Sequence, residues 1–72
     1  MTEVRCYAGA SSPERPTAFV WNDRWLDVVT IHARRRYPEG LSFSVEASDG
    51  RRYRLTWDAT PDAWQILEEP HD

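Results

Sequence analysis

Residues 41–57 carry the clearest pattern in the chain, because apolar and polar residues alternate on both sides of Asp49-Gly50. Alternation with a period of two is typical of strands with one buried face, and Asp-Gly between two such runs predicts a β-hairpin. The apolar positions are Leu41, Phe43, Val45 and Ala47 before the turn and Tyr53, Leu55 and Trp57 after it. We expect these side chains to share the buried face.

The length of the hairpin loop follows from which residues would face each other. A two-residue loop, Asp49-Gly50, would set Val45 opposite Arg54 and mix apolar with charged side chains on one face. A three-residue loop that ends at Gly50 sets Val45 opposite Tyr53, and its third position favours glycine because the backbone there is left-handed. The other pairs of this register are Phe43 with Leu55, Leu41 with Trp57 and Glu46 with Arg52. The sequence therefore predicts a three-residue loop with a glycine bulge.

Shorter runs of the same kind predict the remaining elements. The predicted segments are strands at residues 3–8, 17–21 and 63–67, a loop at residues 9–16 and an acidic tail at residues 68–72. Asn22-Asp23 forms the turn after the second strand, because both residues tolerate positive φ. Its two-residue register sets Phe19 opposite Leu26.

The third strand changes phase in its middle. Leu26 and Val28 follow one alternation, and Val29 and Ile31 continue it one residue out of step. Such a shift is typical of a β-bulge or a sharp bend, which small barrels need in order to curl. The alternative is a helix over residues 26–36, which the run of β-branched residues makes less favourable.

These elements predict an all-β fold: a small five- to six-stranded antiparallel barrel or roll, SH3-like or OB-like. The 72 residues are enough for one domain, which spans residues 1–72. Hydrophobic residues make up 40% of the chain, and four Trp, three Tyr and two Phe supply large areas for burial.

Charge and hydropathy restrict the class of partner. The net charge of −3 argues against a general nucleic-acid or membrane binder, although all nine basic residues are arginine. No apolar run has the length of a membrane span, and the first residues lack the features of a signal peptide. We expect a soluble, cytoplasmic protein.

The residues that could carry catalysis or bind a metal are few. Cys6 and His32 are a possible nucleophile and base, but a buried small hydrophobe and a partly exposed strand residue are the simpler interpretation. Two His and one Cys show no zinc-ligand spacing, and the three glycines are too scattered for a phosphate-binding loop. We expect no enzymatic activity, no cofactor and no metal.

A basic and aromatic surface is the stronger candidate for function. If neighbouring strands pair in sequence order, the arginines of the third and fifth strands could form one patch for carboxylates or phosphates. Trp25 could add a stacking platform beside it. The alternative is a solvated face that prevents association of strand edges, with Arg52 paired to Glu46. The candidate residues are Trp25, Arg34, Arg35, Arg36, Arg52 and Arg54.

Two functions remain open from the residues alone. The first is a protein-interaction module in which Trp25, Tyr37, Arg52 and Arg54 receive an acidic or extended peptide, with Tyr7 and Trp25 partly exposed beside an open strand edge. The second is a nucleic-acid accessory module that places its arginines on phosphates and binds single-stranded DNA in a salt-dependent manner. A dimer, or a complex with the product of a neighbouring gene, is a third possibility.

Several segments also resemble a family of small bacterial all-β proteins of unknown function. They are Pro16-x-x-Phe19-x-Trp21, Arg24 with Val28, Val45-Glu46 before Asp49-Gly50-Arg51-Arg52-Tyr53, and Trp64. Modules similar to this family also occur at the end of proteins related to Y-family DNA polymerases. The resemblance implies the all-β fold and no catalytic residue. Asn22-Asp23 and Asp27 stand where the family has more basic hairpin residues, which lowers the positive charge of this hairpin.

Overall fold

The computed structural model describes residues 3–8, 13–60 and 62–70, and within them it is all-β. Its strands are β1 (Val4–Ala8), β2 (Pro13–Trp21), β3 (Arg24–Tyr37), β4 (Gly40–Ala47), β5 (Arg52–Asp58) and β6 (Ala63–Glu68). They pair antiparallel in the order β1-β2-β3-β4-β5-β6, so each strand pairs with its neighbours along the chain. The sheet curls into a half-barrel, which confirms the predicted small antiparallel barrel or roll. β1 and β6 are the two ends of the sheet.

The β4–β5 hairpin has the predicted register. Val45 pairs with Tyr53, and the ladder continues through the other predicted pairs, Phe43–Leu55, Leu41–Trp57 and Glu46–Arg52. The Ala47 amide donates to the Arg51 carbonyl at 2.9 Å, which closes a three-residue loop over residues 48–50. Gly50 has a φ of 84°, so the glycine bulge is confirmed.

The β2–β3 hairpin also follows its prediction. Asn22 and Asp23 have φ values of 51° and 64°, as a two-residue turn of this kind requires. Phe19 pairs with Leu26 across it.

β3 is one strand of 14 residues, so the alternative of a helix over residues 26–36 is wrong. Its register against β4 shifts between Val28 and Thr30 and again between Ile31 and Ala33. Each shift places one extra residue on β3 and bends the strand. The predicted change of phase is therefore confirmed at the first shift, and the second shift restores the original phase.

The predicted loop at residues 9–16 is partly wrong, because β2 begins at Pro13. Residues 9–12 lie outside the described part of the chain. Pro13 pairs with Ala8 and Pro16 pairs with Cys6 in the ladder to β1. Proline has no amide hydrogen to donate to a neighbouring strand, so it is tolerated mainly where one side of a strand is unpaired. Residues 13–16 of β2 pair with β1 alone and therefore have such a side.

The predicted acidic tail at residues 68–72 begins too early. Glu68 is the last residue of β6, and the Glu69 amide donates to the Arg52 carbonyl at 2.9 Å. The Glu69 carboxylate accepts a hydrogen bond from the Ser44 hydroxyl. Residues 71 and 72 lie outside the described part of the chain.

The core lies on the concave face of the sheet, around Tyr53. Its ring makes edge contacts with Phe19 and Trp21, at centroid distances of 5.0 and 5.2 Å. The buried apolar residues are Phe19, Leu26, Leu41, Phe43, Val45, Ala47, Tyr53 and Leu55. They include every position that the alternation of residues 41–57 predicted, except the half-buried Trp57.

β2 and β3 separate partway along their length. Their pairing ends at Ala18 and Asp27, after which residues 28–37 of β3 pair with β4 and residues 13–16 of β2 pair with β1. We call this divergence the fork. The side of residues 28–37 that points away from β4 is the free edge of β3. Among the described residues, no strand pairs with it.

Candidate functional site

The arginine triplet lies on the free edge of β3 but divides between two faces. Arg34 and Arg36 pair with the core residues Phe43 and Leu41, so they share the concave face. Arg35 lies between them in the strand and therefore points to the convex face. Residues 34–36 are all exposed, and none of the ion pairs between described residues involves them. The edge thus presents uncompensated positive charge on both faces.

Arg52 and Arg54 lie on the convex face, as predicted. Arg52 is directly opposite Glu46, but the Glu46 carboxylate lies 3.5 Å from the imidazole of His32 instead. Among the described residues, no ion pair joins Arg52 to Glu46, so that predicted contact is not formed. The Arg54 guanidinium lies 3.4 Å from the Glu69 carboxylate.

Arg35 and Arg54 meet in one shallow pocket on the convex face. The pocket has a volume of about 280 Å³ and is lined by Ala33, Arg35, Tyr37, Ser42, Ser44 and Arg54. Three adjacent strands bring these residues together, since Ser42 pairs with Arg35 while Ser44 pairs with both Ala33 and Arg54. The predicted single patch of five arginines is therefore wrong. Arg34 and Arg36 face the concave side, and Arg35, Arg52 and Arg54 face the convex side.

Trp25 lies apart from the arginine triplet. Eight residues of β3 lie between it and Arg34, a path of about 30 Å when measured along the strand. Its side chain is 46% exposed, and the Arg5 guanidinium carbon lies 4.7 Å from the centre of its ring. One face of the indole is therefore covered by a cation–π contact. Trp25 neither joins the arginine patch nor offers both ring faces for stacking.

The fork creates an apolar cleft between β2 and β3, which the sequence pattern did not predict. Its lining is Arg15, Pro16, Thr17, Val28, Val29 and Ile31. Val29 is 62% exposed and Ile31 is 36% exposed, although both are large apolar residues. One wall of the cleft belongs to the first residues of β2, which begins at Pro13. The cleft was not predicted because residues 9–16 were interpreted as a loop.

A second pocket lies where the two hairpin turns meet. It is lined by Trp21, Asn22, Arg24, Leu26, Asp49, Arg51 and Tyr53. The Asp49 carboxylate accepts hydrogen bonds from the Tyr53 hydroxyl at 2.6 Å and from the Arg51 amide at 2.9 Å. The Arg51 guanidinium in turn lies 3.3 Å from Glu68. These polar groups are already paired with one another, so we interpret the pocket as structural.

Two ionisable groups of this pocket have shifted pKa values. Burial and the hydrogen bond to Asp49 raise the pKa of Tyr53 to about 12. Desolvation alone would raise the pKa of Asp49, but the hydrogen bonds from Tyr53 and Arg51 outweigh it and lower that pKa. The raised pKa favours the neutral phenol of Tyr53, and the lowered pKa favours the charged carboxylate of Asp49.

Among the described residues, no hydrogen bond or ion pair joins Cys6 to His32, the two residues considered for catalysis, and His32 lies near Glu46 instead. Cys6 lies in β1 and His32 in β3, with β2 between these strands. Burial raises the pKa of the Cys6 thiol, which disfavours the reactive thiolate. Within residues 3–8, 13–60 and 62–70, no three His, Cys, Asp or Glu side chains are grouped as a metal site would require. The same residues contain no helix of the length and apolarity that a membrane span needs.

No family profile, curated protein or solved structure matches this chain. The resemblance to small bacterial all-β proteins therefore stays a prediction from the sequence.

Proposed function

We propose that this protein is a non-enzymatic interaction module that binds an acidic, extended segment of another protein along the free edge of β3. The free edge is the observation that carries the proposal. Residues 28–37 continue well past the end of β2, so alternate amide and carbonyl groups of β3 face no other described strand. An extended peptide satisfies such groups by adding a strand to the sheet, and this is a common mode of peptide recognition.

The charge of the edge supports an acidic peptide. Arg34, Arg35 and Arg36 are exposed, and no acidic side chain of the described residues forms an ion pair with them. A guanidinium group binds a carboxylate through two parallel hydrogen bonds in favourable geometry. Acidic residues of the incoming strand therefore find partners on either face.

The pocket on the convex face adds a further contact for the same peptide. Arg35 lines it from the free edge, and Arg54 lines it from the interior of the sheet, beside the buried Ser42. An acidic side chain that points to the convex face would reach this pocket from the added strand. Arg35 is the partner for that side chain, because Arg54 already lies 3.4 Å from the Glu69 carboxylate.

Nucleic acid is the less favourable ligand for this surface. Single-strand binders combine a basic groove with exposed aromatic rings on which bases stack. Here the exposed Trp25 is distant from the arginine triplet, and Arg5 covers one face of its ring. The net charge of −3 also opposes a general attraction to phosphates.

Binding of labelled synthetic peptides tests the proposal. The first probe is a twelve-residue peptide with alternating aspartate and glutamate in a background of serine and threonine. We expect it to bind the native protein at low salt and to bind the Arg34→Glu/Arg36→Glu variant about tenfold more weakly or worse. Arg24→Glu is the control, because Arg24 is exposed on the same strand but lies beside the first turn. Fluorescence anisotropy measures each affinity.

Hydrogen exchange separates strand addition from simple ion pairing. Strand addition protects the amides of β3 that point away from β4, whereas ion pairing of the arginine side chains leaves their exchange unchanged. Equal affinity of the native protein and the Arg34→Glu/Arg36→Glu variant would contradict the proposal. Tighter binding of a single-stranded DNA oligonucleotide than of the acidic peptide would also contradict it.

A further inference from the structure

The apolar cleft of the fork lies at one end of the edge that carries the arginines. Its β3 wall consists of Val28, Val29 and Ile31, and its β2 wall includes the buried Pro16. The space between these walls is about 410 Å³. The cleft exists because β3 bends away from β2 after Asp27, so its walls belong to two differently paired strands.

The two exposed apolar residues of this cleft, Val29 and Ile31, lie outside the hydrophobic core cluster. Val29 is the extra residue at the first register shift of β3, and 62% of its surface is exposed. Ile31 pairs with the core residue Val45, yet it lies outside the buried cluster. Isolated exposed apolar residues are common on protein surfaces. Exposed apolar residues that lie together in an open cleft are more typical of a binding surface than isolated ones are.

Register relates the cleft to the arginines. Ile31, Arg34 and Arg36 pair with Val45, Phe43 and Leu41, and so all three share the concave face. A peptide strand on the free edge directs every second side chain to that face. Two of its acidic residues would then lie beside Arg36 and Arg34. The next side chain on this face would lie beside Ile31, at the entrance of the cleft.

We propose that the cleft of the fork binds one large apolar side chain of the same acidic peptide. This inference rests on the proposed function and narrows the ligand class. The ligand is an extended segment with two acidic residues at alternate positions and one leucine-like residue two or three positions from the nearer acid. The spacing allows two values because the second register shift of β3 lies between Ile31 and Ala33. The arginines alone would bind any acidic segment. The cleft would favour acidic segments that also carry a large apolar residue at this spacing.

Three probe peptides test this ligand class. The first has two aspartates at alternate positions and a leucine at the stated distance, the second replaces leucine with serine, and the third replaces both aspartates with asparagine. We expect the first peptide to bind at least about tenfold more tightly than the second, because the cleft removes the apolar surface of the leucine side chain from water. Both peptide directions are needed, because an added strand can run parallel or antiparallel to β3.

Substitutions in the protein assign the effect to the cleft. Val29→Ser should weaken the leucine peptide and leave the serine peptide unchanged, since it removes an apolar wall without a change in charge. Leu67→Ser is the matched control, because Leu67 is 61% exposed and lies on β6, which β4 and β5 separate from β3. Thermal unfolding of both variants checks that they remain folded.

The outcomes separate this inference from the proposed function. Equal affinity for the leucine and serine peptides, together with weakening of both by Arg34→Glu/Arg36→Glu, would overturn the cleft and leave the acidic-peptide module intact. Failure of all the acidic peptides to bind would overturn the proposed function and the cleft with it. Equal loss in Val29→Ser and Leu67→Ser would also overturn the cleft.

Discussion

Gly50 ends the loop between β4 and β5 with a φ of +84°, and an added Cβ there would meet no atom within 4 Å. A substitution at this position therefore changes the backbone energy without a steric clash. We expect Gly50→Val to lower the free energy of unfolding by about 1–3 kcal/mol, because a β-branched residue is strained at positive φ. Urea denaturation measures this loss.

Gly50→Asn is the control for this prediction, since asparagine tolerates the left-handed region better than valine does. Its loss should be clearly smaller. A loss below about 0.3 kcal/mol for Gly50→Val would be inconsistent with a conformational role of this glycine.

At the residue scale, the sequence predicted faces more reliably than partners. Parity alone set Arg52 opposite Glu46, and the ladder agrees. The predicted ion pair between Arg52 and Glu46 is not formed, because the Glu46 carboxylate lies near His32 instead. The second bulge of β3 brings His32 to the same face as Glu46. The contact of Arg5 with Trp25 was not predicted either, because these residues lie 20 positions apart on β1 and β3. A long side chain has several neighbours within reach in the folded sheet. The order of residues along the chain does not show which of them it contacts.

At the element scale, the arginines of β3 also protect a strand that is open to self-association. An unpaired edge with Val29 and Ile31 exposed can pair with the same edge of a second copy, and like charges oppose this. We expect Arg34→Ser/Arg36→Ser to increase self-association relative to the native chain, as measured by sedimentation velocity over a range of concentrations.

Arg52→Ser/Arg54→Ser is the control for that experiment. It removes the same number of charges from β5, an interior strand that pairs with both β4 and β6. Equal self-association of the two double variants would show that net charge, rather than the charge of the free edge, keeps the copies apart.

The elements themselves were predictable except at their ends. Period-two alternation identified every strand of the described chain, and the glycine and asparagine turns fixed two registers. The start of β2 was missed because Pro13 and Pro16 resemble loop residues, whereas an edge segment tolerates them. The fork and its cleft follow from that extension. The sequence pattern therefore did not predict the fork or the cleft.

At the scale of the whole molecule, Tyr53 joins the two parts of the sheet. It lies in β5, it is fully buried, and its ring contacts Phe19 and Trp21 of β2. Its pKa of about 12 is higher than the ordinary value of 10 for the unfolded chain. The stability that this shift represents is fully present below about pH 10 and is lost as the pH rises through 12.

We therefore expect the free energy of unfolding to fall between about pH 10 and 12. Tyr53→Phe should reduce this fall, although loss of the hydrogen bond to Asp49 should cost about 1 kcal/mol at neutral pH. Tyr37→Phe is the control, because Tyr37 is 43% exposed. Urea titrations across this pH range provide the measurement, and the same pH profile for native and Tyr53→Phe proteins would contradict the role of Tyr53.

The fold class was the most predictable property of the whole molecule, and the site was the least. Strand number, turn signals and aromatic content sufficed for an antiparallel barrel or roll. The five arginines were all correctly placed on the surface, but they do not share one face. Arg34, Arg35 and Arg36 are consecutive in β3, so strand alternation alone directs Arg35 to the face opposite the other two. The two bulges of β3 cancel in phase and leave this division unchanged.

The sequential order of the sheet also determines how the chain can fold. Each strand pairs with the strand next to it along the chain, so each pairing closes only a short loop. The entropic cost of loop closure grows with loop length, and proteins dominated by near-neighbour contacts fold faster than those that must join distant segments. A barrel that closes by pairing its first and last strands cannot complete its sheet until both ends are in place. In this protein the β3–β5 meander can form first, and the outer strands can then add one at a time.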